Sequence, residues 1–417
     1  MTLLPLRSVR RASGFTIIEL LVATVVFSGL ILILAVTTNQ TSDIWRRSAA
    51  KVEQFQSSRR GFESMTRRLS QATLNTYWDY DYVVEGSGSG RKLDVAQPPL
   101  GYARQSELRF RSGPMETLAP RAGVVRSTHG VFFQAPLGHT DDEDVLQIDR
   151  RRLNPLGDLL NSWGYFVEAG SDEQIIPPFL RAVVPPRRRY RLMQFMEPTE
   201  RSVIDDPTAD PDPSDLQGGR LVIRNANWDL PWNGWFTEPL NRVEDPSLRV
   251  LSENIIALVI LPRLSQQDEA ARQRRGLSML APLYDYDSKR NSNSVQAVGK
   301  PFDPSIRGSA GDQPEAVNPK NQLPPVVTVA MVAIDELSAQ RLAETAPGDD
   351  PALGLKWDDL FLQADRLEDD PDTSGEGKSG DGDLFKVELQ LRTRRLNYRV
   401  YTSNVPIRGA KWSRSQR

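Results

Sequence analysis

The sequence predicts an α+β fold: a long N-terminal helix, membrane-spanning in its first half and amphipathic in its second, packed on an antiparallel β-sheet head with long irregular insertions. Three observations predict it. Residues 15–36 form an apolar run that holds a single charge, Glu19. Between Thr41 and Asn75 there is no proline and only one glycine, Gly61, while apolar residues return at helical intervals. From Tyr77 onward the chain turns to short aromatic and β-branched runs, separated by connections rich in Gly, Pro and Asp.

The first 14 residues are short and basic, with Arg7, Arg10 and Arg11 ahead of Gly14. Basic residues beside a spanning segment tend to stay in the cytoplasm, so the N-terminus is expected inside and the body of the protein across the membrane. As a helix, Phe15 to Val36 would extend about 33 Å, roughly one hydrocarbon thickness. The run exceeds a signal-peptide core, and no Ala-x-Ala cleavage site follows it, so the anchor is expected to be retained. A carboxylate within it needs a reason, because an unpaired charge in hydrocarbon is costly.

Ile44, Val52, Phe55, Phe62, Met65, Leu69 and Ala72 then keep one face apolar, which extends the helix to about residue 76. Their spacing is too loose for a coiled-coil seam, so this face is expected to pack on the soluble domain. The organisation that follows is a leader over 1–14, a spanning half over 15–36, an amphipathic half over 37–76 and a β-rich globular domain over 77–417.

Strands are expected at Glu107–Arg111, Val131–Gln134, Gly164–Val167, Tyr190–Phe195 and Leu221–Arg224. Ile255–Leu261 and Val326–Ile334 are apolar on both faces and are expected to be central. Phe385, Val387, Leu389 and Leu391 alternate with polar residues, which reads as a strand, a turn at 394–397 and a second strand from Tyr398 to Val405. Asp205–Gly219, Asn291–Pro325 and Glu368–Asp383 are expected to be mobile, being too polar to bury enough surface to offset their ordering entropy.

Composition narrows the chemistry. The formal net charge of −2 supplies no basic field for nucleic acid. Cysteine is absent, which removes disulfides, thiolate metal sites and Cys nucleophiles. The two histidines, His129 and His139, read as ordinary loop or strand-end residues. No phosphate-binding loop, serine nucleophile motif or metal-spaced His pair occurs. Asp370, Asp372, Ser374 and Asp381 place oxygens as in a Ca²⁺ loop, with Gly375 at the sixth place, although Pro371 and Lys378 fit it poorly. A solvated acidic loop is the preferred reading there, and Asp141–Asp144 is a weaker case still. Arg187-Arg188-Arg189-Tyr190-Arg191 is the one compact basic cluster, and it reads as a solvated lead into a strand rather than a DNA contact. Trp228, Trp232, Trp235 and Phe236 read as a small core under a loop, with an aromatic binding platform as the alternative.

The stretch Gly14-Phe15-Thr16-Ile17-Ile18-Glu19-Leu20-Leu21-Val22-Ala23 resembles the N-terminus of type IV prepilins and of the pseudopilins of type II secretion. Leu323-Pro324-Pro325-Val326 is similar to a strand entry in J-type minor pseudopilins. The ending from Tyr401 to Trp412 resembles verrucomicrobial cassette-type pilin-like proteins. The resemblance implies a single-pass protein of a bacterial inner membrane with a periplasmic C-terminal domain. It implies cleavage after Gly14 by a prepilin peptidase, N-methylation of Phe15, and assembly with other pilin-like subunits on a membrane platform. The new amine on Phe15 could then pair with a neighbour's Glu19, so that two charges costly in lipid offset each other and fix subunit register. Some K-type minor subunits lack this Glu, and here the chain departs from them. Some pseudopilins bind Ca²⁺ in a late loop; no other cofactor is implied, and no catalysis. The large soluble part favours a minor subunit. The competing reading is a membrane-anchored periplasmic binding module or carbohydrate-active enzyme, with the Trp-rich segment as its site.

Overall fold

A computed structural model of the chain describes residues 16–81, 101–121, 124–140, 159–171, 188–198, 234–241, 247–274, 279–289, 321–345, 360–367 and 382–412, with short pieces between them. It is α+β, with a long N-terminal helix and antiparallel sheets, as the patterning predicts. The chain divides into two units, residues 1–54 and 55–417.

Helix α1 covers Ile17–Leu69. Its apolar part is exposed on every side and is long and apolar enough to cross a membrane. In the second unit its buried face is Phe55, Ser58, Phe62, Met65 and Leu69. These positions return every three or four residues, as a one-sided helix requires. Ile44 and Val52, expected on the same face, are exposed. The helix stops seven residues earlier than predicted. Ser70 Oγ and Gln71 Nε2 both donate to Arg67 O, at 2.7 and 3.3 Å, and the Ser70 carbonyl accepts from Arg408 N–H at 2.9 Å. Carbonyls left open by the last turn are thus satisfied from outside the helix.

The strands are β1 (Tyr77–Asp81), β2 (Val84–Glu85), β3 (Lys92–Leu93), β4 (Gly101–Gln105), β5 (Arg111–Pro114), β6 (His129–Pro136), β7 (Leu160–Ser171), β8 (Arg188–Glu197), β9 (Leu216–Gln217), β10 (Arg220–Leu221), β11 (Leu248–Glu253), β12 (Ile255–Arg263), β13 (Tyr286–Asp287), β14 (Val326–Ile334) and β15 (Tyr398–Pro406). The shorter helices are α2 (Met115–Leu118), α3 (Gly234–Asn241), α4 (Gln266–Gln273), α5 (Glu336–Thr345) and α6 (Asp383–Thr393). One antiparallel sheet has the order β11-β8-β7-β6-β5-β13 and another the order β12-β14-β15.

Both faces of the larger sheet are covered, which explains why its strands lack a clean polar–apolar alternation. Val131, Phe133, Trp163, Tyr165 and Leu192 belong to the main core with Phe62, Met65 and Leu69 of α1 and the buried strand β12. Arg68 marks the contact: its guanidinium lies 4.6 Å from the Trp163 ring centre and donates to Gln194 Oε1 at 2.7 Å. On the opposite face Phe132, Phe166 and Phe195 form a second cluster with Met115, Trp235, Phe236 and Leu240. Phe132 stacks on Phe236 at 3.8 Å and lies across Gly164, where any Cβ would collide with its ring.

Several expectations are corrected here. Residues 385–391 are helical, inside α6, and not a strand; the strand and turn that follow match the expectation. Residues 107–110 are irregular, and the strand begins at Arg111. The backbone there is satisfied by side chains, with Arg109 N–H on Gln134 Oε1 and Phe110 N–H on Ser288 Oγ, both at 2.9 Å. Of Leu221–Arg224, Leu221 ends β10 and the rest lies outside the described residues. Strand β14 is central, whereas β12 is an edge strand whose outer amides are capped: Leu258 N–H donates to Thr128 Oγ1 at 3.0 Å and Ile260 N–H to His129 Nδ1 at 3.2 Å. Residues 321–324, placed in a mobile connection by their composition, are buried. Asn321 donates from Nδ2 to Arg104 O at 2.6 Å, and Gln322 O accepts from Tyr286 at 2.9 Å.

Candidate functional site at the start of the long helix

The described chain opens on Thr16, immediately before α1, and Thr16 and Glu19 are joined reciprocally. Glu19 Oε2 accepts from the Thr16 backbone N–H at 3.2 Å and from its hydroxyl at 3.1 Å, while Thr16 Oγ1 accepts from Glu19 N–H at 3.3 Å. This is a capping box, in which a Thr and a Glu three residues on satisfy donors that a helix start leaves open. In hydrocarbon those donors have no water to turn to, so the box matters more there than on a soluble helix. Only Oε2 is engaged; Oε1 makes no hydrogen bond among the described residues. The carboxylate is therefore held along its own helix with one oxygen left over for a second partner. Thr16 was not singled out from the sequence, although Thr-x-x-Glu ahead of an apolar run is a cap signature.

After Glu19 the helix suits lipid. Thr24, Thr37, Thr38 and Thr41 each return their hydroxyl to a carbonyl three or four residues back, at 2.8–2.9 Å, which removes a donor from the surface. Gly14 and Phe15 lie outside the described residues, and so do Asp370, Asp372, Ser374, Asp381, Asp141–Asp144, Arg187, Trp228 and Trp232. No group of three or more acidic or His side chains able to hold a metal occurs among the described residues.

The remaining candidates are structural. Trp235 and Phe236 are buried in the second core cluster and present no binding platform. Arg189 is not a solvated lead but a tie between elements: it pairs with both oxygens of Glu336 at 2.7 and 2.8 Å and with Glu253 at 3.0 Å. Arg191 is buried and donates to Ser171 O. His139 packs edge-on to Trp163 and exchanges bonds with Asn161. His129 opens β6 and is fully buried, accepting from Ile260 at Nδ1 and facing Phe361 O from Nε2 at 3.3 Å. Burial lowers its pKa to about 4, against the opposing bond to Phe361. Set against models of protein families, curated proteins and solved structures, the chain matches none.

Proposed function

We propose that this chain is a structural subunit, in a minor role, of a type IV pilus-like filament or a type II secretion pseudopilus. A prepilin peptidase removes residues 1–14, Phe15 becomes the methylated N-terminus, and the subunit is held in a bacterial inner membrane with its β-rich domain in the periplasm. One observation supports this above others: Glu19 stands three residues into an apolar, fully exposed helix, bonded through one oxygen to Thr16 and retaining the other. A neighbour's Phe15 amine can use that oxygen without dismantling the cap, so the pairing adds to the intrachain bonds rather than competing with them.

Co-expression with a prepilin peptidase tests the reading. The mass of the purified chain should fall by residues 1–14 and gain one methyl group; an intact leader overturns the proposal. Gly14→Leu should block processing by placing a bulky side chain at the scissile bond. Glu19→Val should be processed normally yet fail to enter filaments, and wild-type assembly by that variant would remove the pairing argument.

A further inference from the structure

Outside α1, most large aromatic side chains in the described residues are buried, with one concentrated exception. Strands β1 and β4 form a two-stranded antiparallel ribbon in which Trp78 lies opposite Arg104 and Tyr80 opposite Tyr102. These four residues share one face of the ribbon, because positions two apart on a strand, and positions directly across, point the same way. Trp78 is 58% exposed, Tyr80 50% and Tyr102 68%. The Tyr80 and Tyr102 ring centres sit 5.0 Å apart, and the Arg104 guanidinium lies 5.4 Å from the Trp78 ring centre.

The ribbon is fastened to the head on both strands. Tyr77 donates to Glu107 at 2.7 Å, Arg104 Nη1 donates to Lys411 O at 2.8 Å, and the Arg104 carbonyl accepts from Asn321 at 2.6 Å. Rings held this way lose little freedom when a ligand arrives, which is the main advantage of a preorganised site. An exposed aromatic patch of this kind marks a binding surface more often than idle exposure.

The chemistry of the surface selects the ligand. With their ring centres 5.0 Å apart, the paired tyrosines leave no slot between them, which disfavours a polyproline ridge. Among the described residues on and beside the ribbon, Asp79 and Glu107 accompany Arg104 and Lys411, which is not the run of basic side chains that a nucleic acid backbone needs. Flat rings with polar rims suit a ligand with an apolar face and hydroxyl edges. Trp78 and Tyr80 are spaced by about 6.8 Å along the strand, wider than one sugar ring, so consecutive sugars would be contacted. Arg104 Nη2, with no partner among the described residues, is placed to donate to their hydroxyls. We propose that the Trp78–Tyr80–Tyr102 face binds an uncharged polysaccharide, with stacking on the three rings and Arg104 fixing orientation. This does not rest on the filament reading.

The test is calorimetric titration of the full chain in detergent micelles with α- and β-linked neutral hexose oligomers of six units. One or more should bind with a dissociation constant below about 1 mM. Trp78→Ala and Tyr102→Ala should each weaken binding by about tenfold or more while leaving the melting temperature unchanged, because both side chains are mostly exposed. The proposal is overturned if no oligomer binds, if either variant binds as wild type, or if an oligothymidylate or a proline-rich peptide binds at this face instead.

Discussion

The N–H of Ile260, on the outer edge of β12, ends on Nδ1 of His129, and that bond holds only while the ring is neutral. Protonation would set two donors against each other in a buried site. The folded pKa of about 4 lies below the ordinary value of 6.5, so the fold favours the neutral ring. The stability this supplies is complete above about pH 6.5 and is lost as the pH falls toward 4, a change of about 3 kcal/mol. Asp287 acts in a separate window. Burial would raise its pKa, but Arg109, Arg111 and the Lys289 N–H outweigh it and hold it at about 2. Its contribution is lost only below about pH 4. Urea unfolding at pH 7 and pH 4.5 should therefore show a drop in wild type. His129→Leu should be weaker by about 1–3 kcal/mol at pH 7 and flatter between the two pH values, and an equal drop in that variant would assign the effect elsewhere. Glu19 stood out in the sequence as the one charge in an apolar run, and its interval from Gly14 and Phe15 carries the prepilin resemblance. The roles of Thr16 and His129 did not stand out, since each depends on which atom faces which.

Helix α6 shows how a local pattern can be read two ways. Phe385, Val387, Leu389 and Leu391 alternate as in a strand, yet Val387 and Leu391 also stand four apart, as on one side of a helix. The helix buries Asp383, Val387 and Leu391 and leaves Phe385 and Leu389 partly exposed. Good helix formers fill the segment, and Glu388 pairs with Arg392 one turn on, at 2.8 Å. Asp383 Oδ2 also accepts from Phe361 N–H at 2.8 Å, a contact that no local pattern could announce. The two readings make opposite predictions. Leu389→Gln should change stability by no more than about 0.5 kcal/mol, whereas Val387→Gln should cost roughly 2–4 kcal/mol by placing an amide in the core. A strand would make the two equivalent, and thermal melts would separate the outcomes.

At the scale of the molecule, the two larger sheets meet at Asn254, between β11 of one and β12 of the other. It has φ near 60°, donates from its backbone to Tyr190 O at 2.7 Å, accepts from Ile334 N–H at 3.0 Å, and reaches Glu336 through Nδ2 at 2.9 Å. Asn tolerates this left-handed conformation better than most residues do. Asn254→Ala should cost about 1–3 kcal/mol, through the backbone and the lost bond together. Asn254→Gly should recover the backbone part, and equal melting temperatures for the two variants would show that strain has no share. The sequence by itself determined the long helix, the β-rich body and the lone carboxylate Glu19 near the helix start, because hydrophobic period and a charge within an apolar run are properties of neighbouring residues. Only the tertiary structure decided that α1 is buried from Phe55, that 385–391 is helical, that Trp235 and Phe236 are core, and that Trp78, Tyr80 and Tyr102 face outward. Each of these depends on which distant surface covers a residue, and an apolar or aromatic side chain does not by itself say whether anything will.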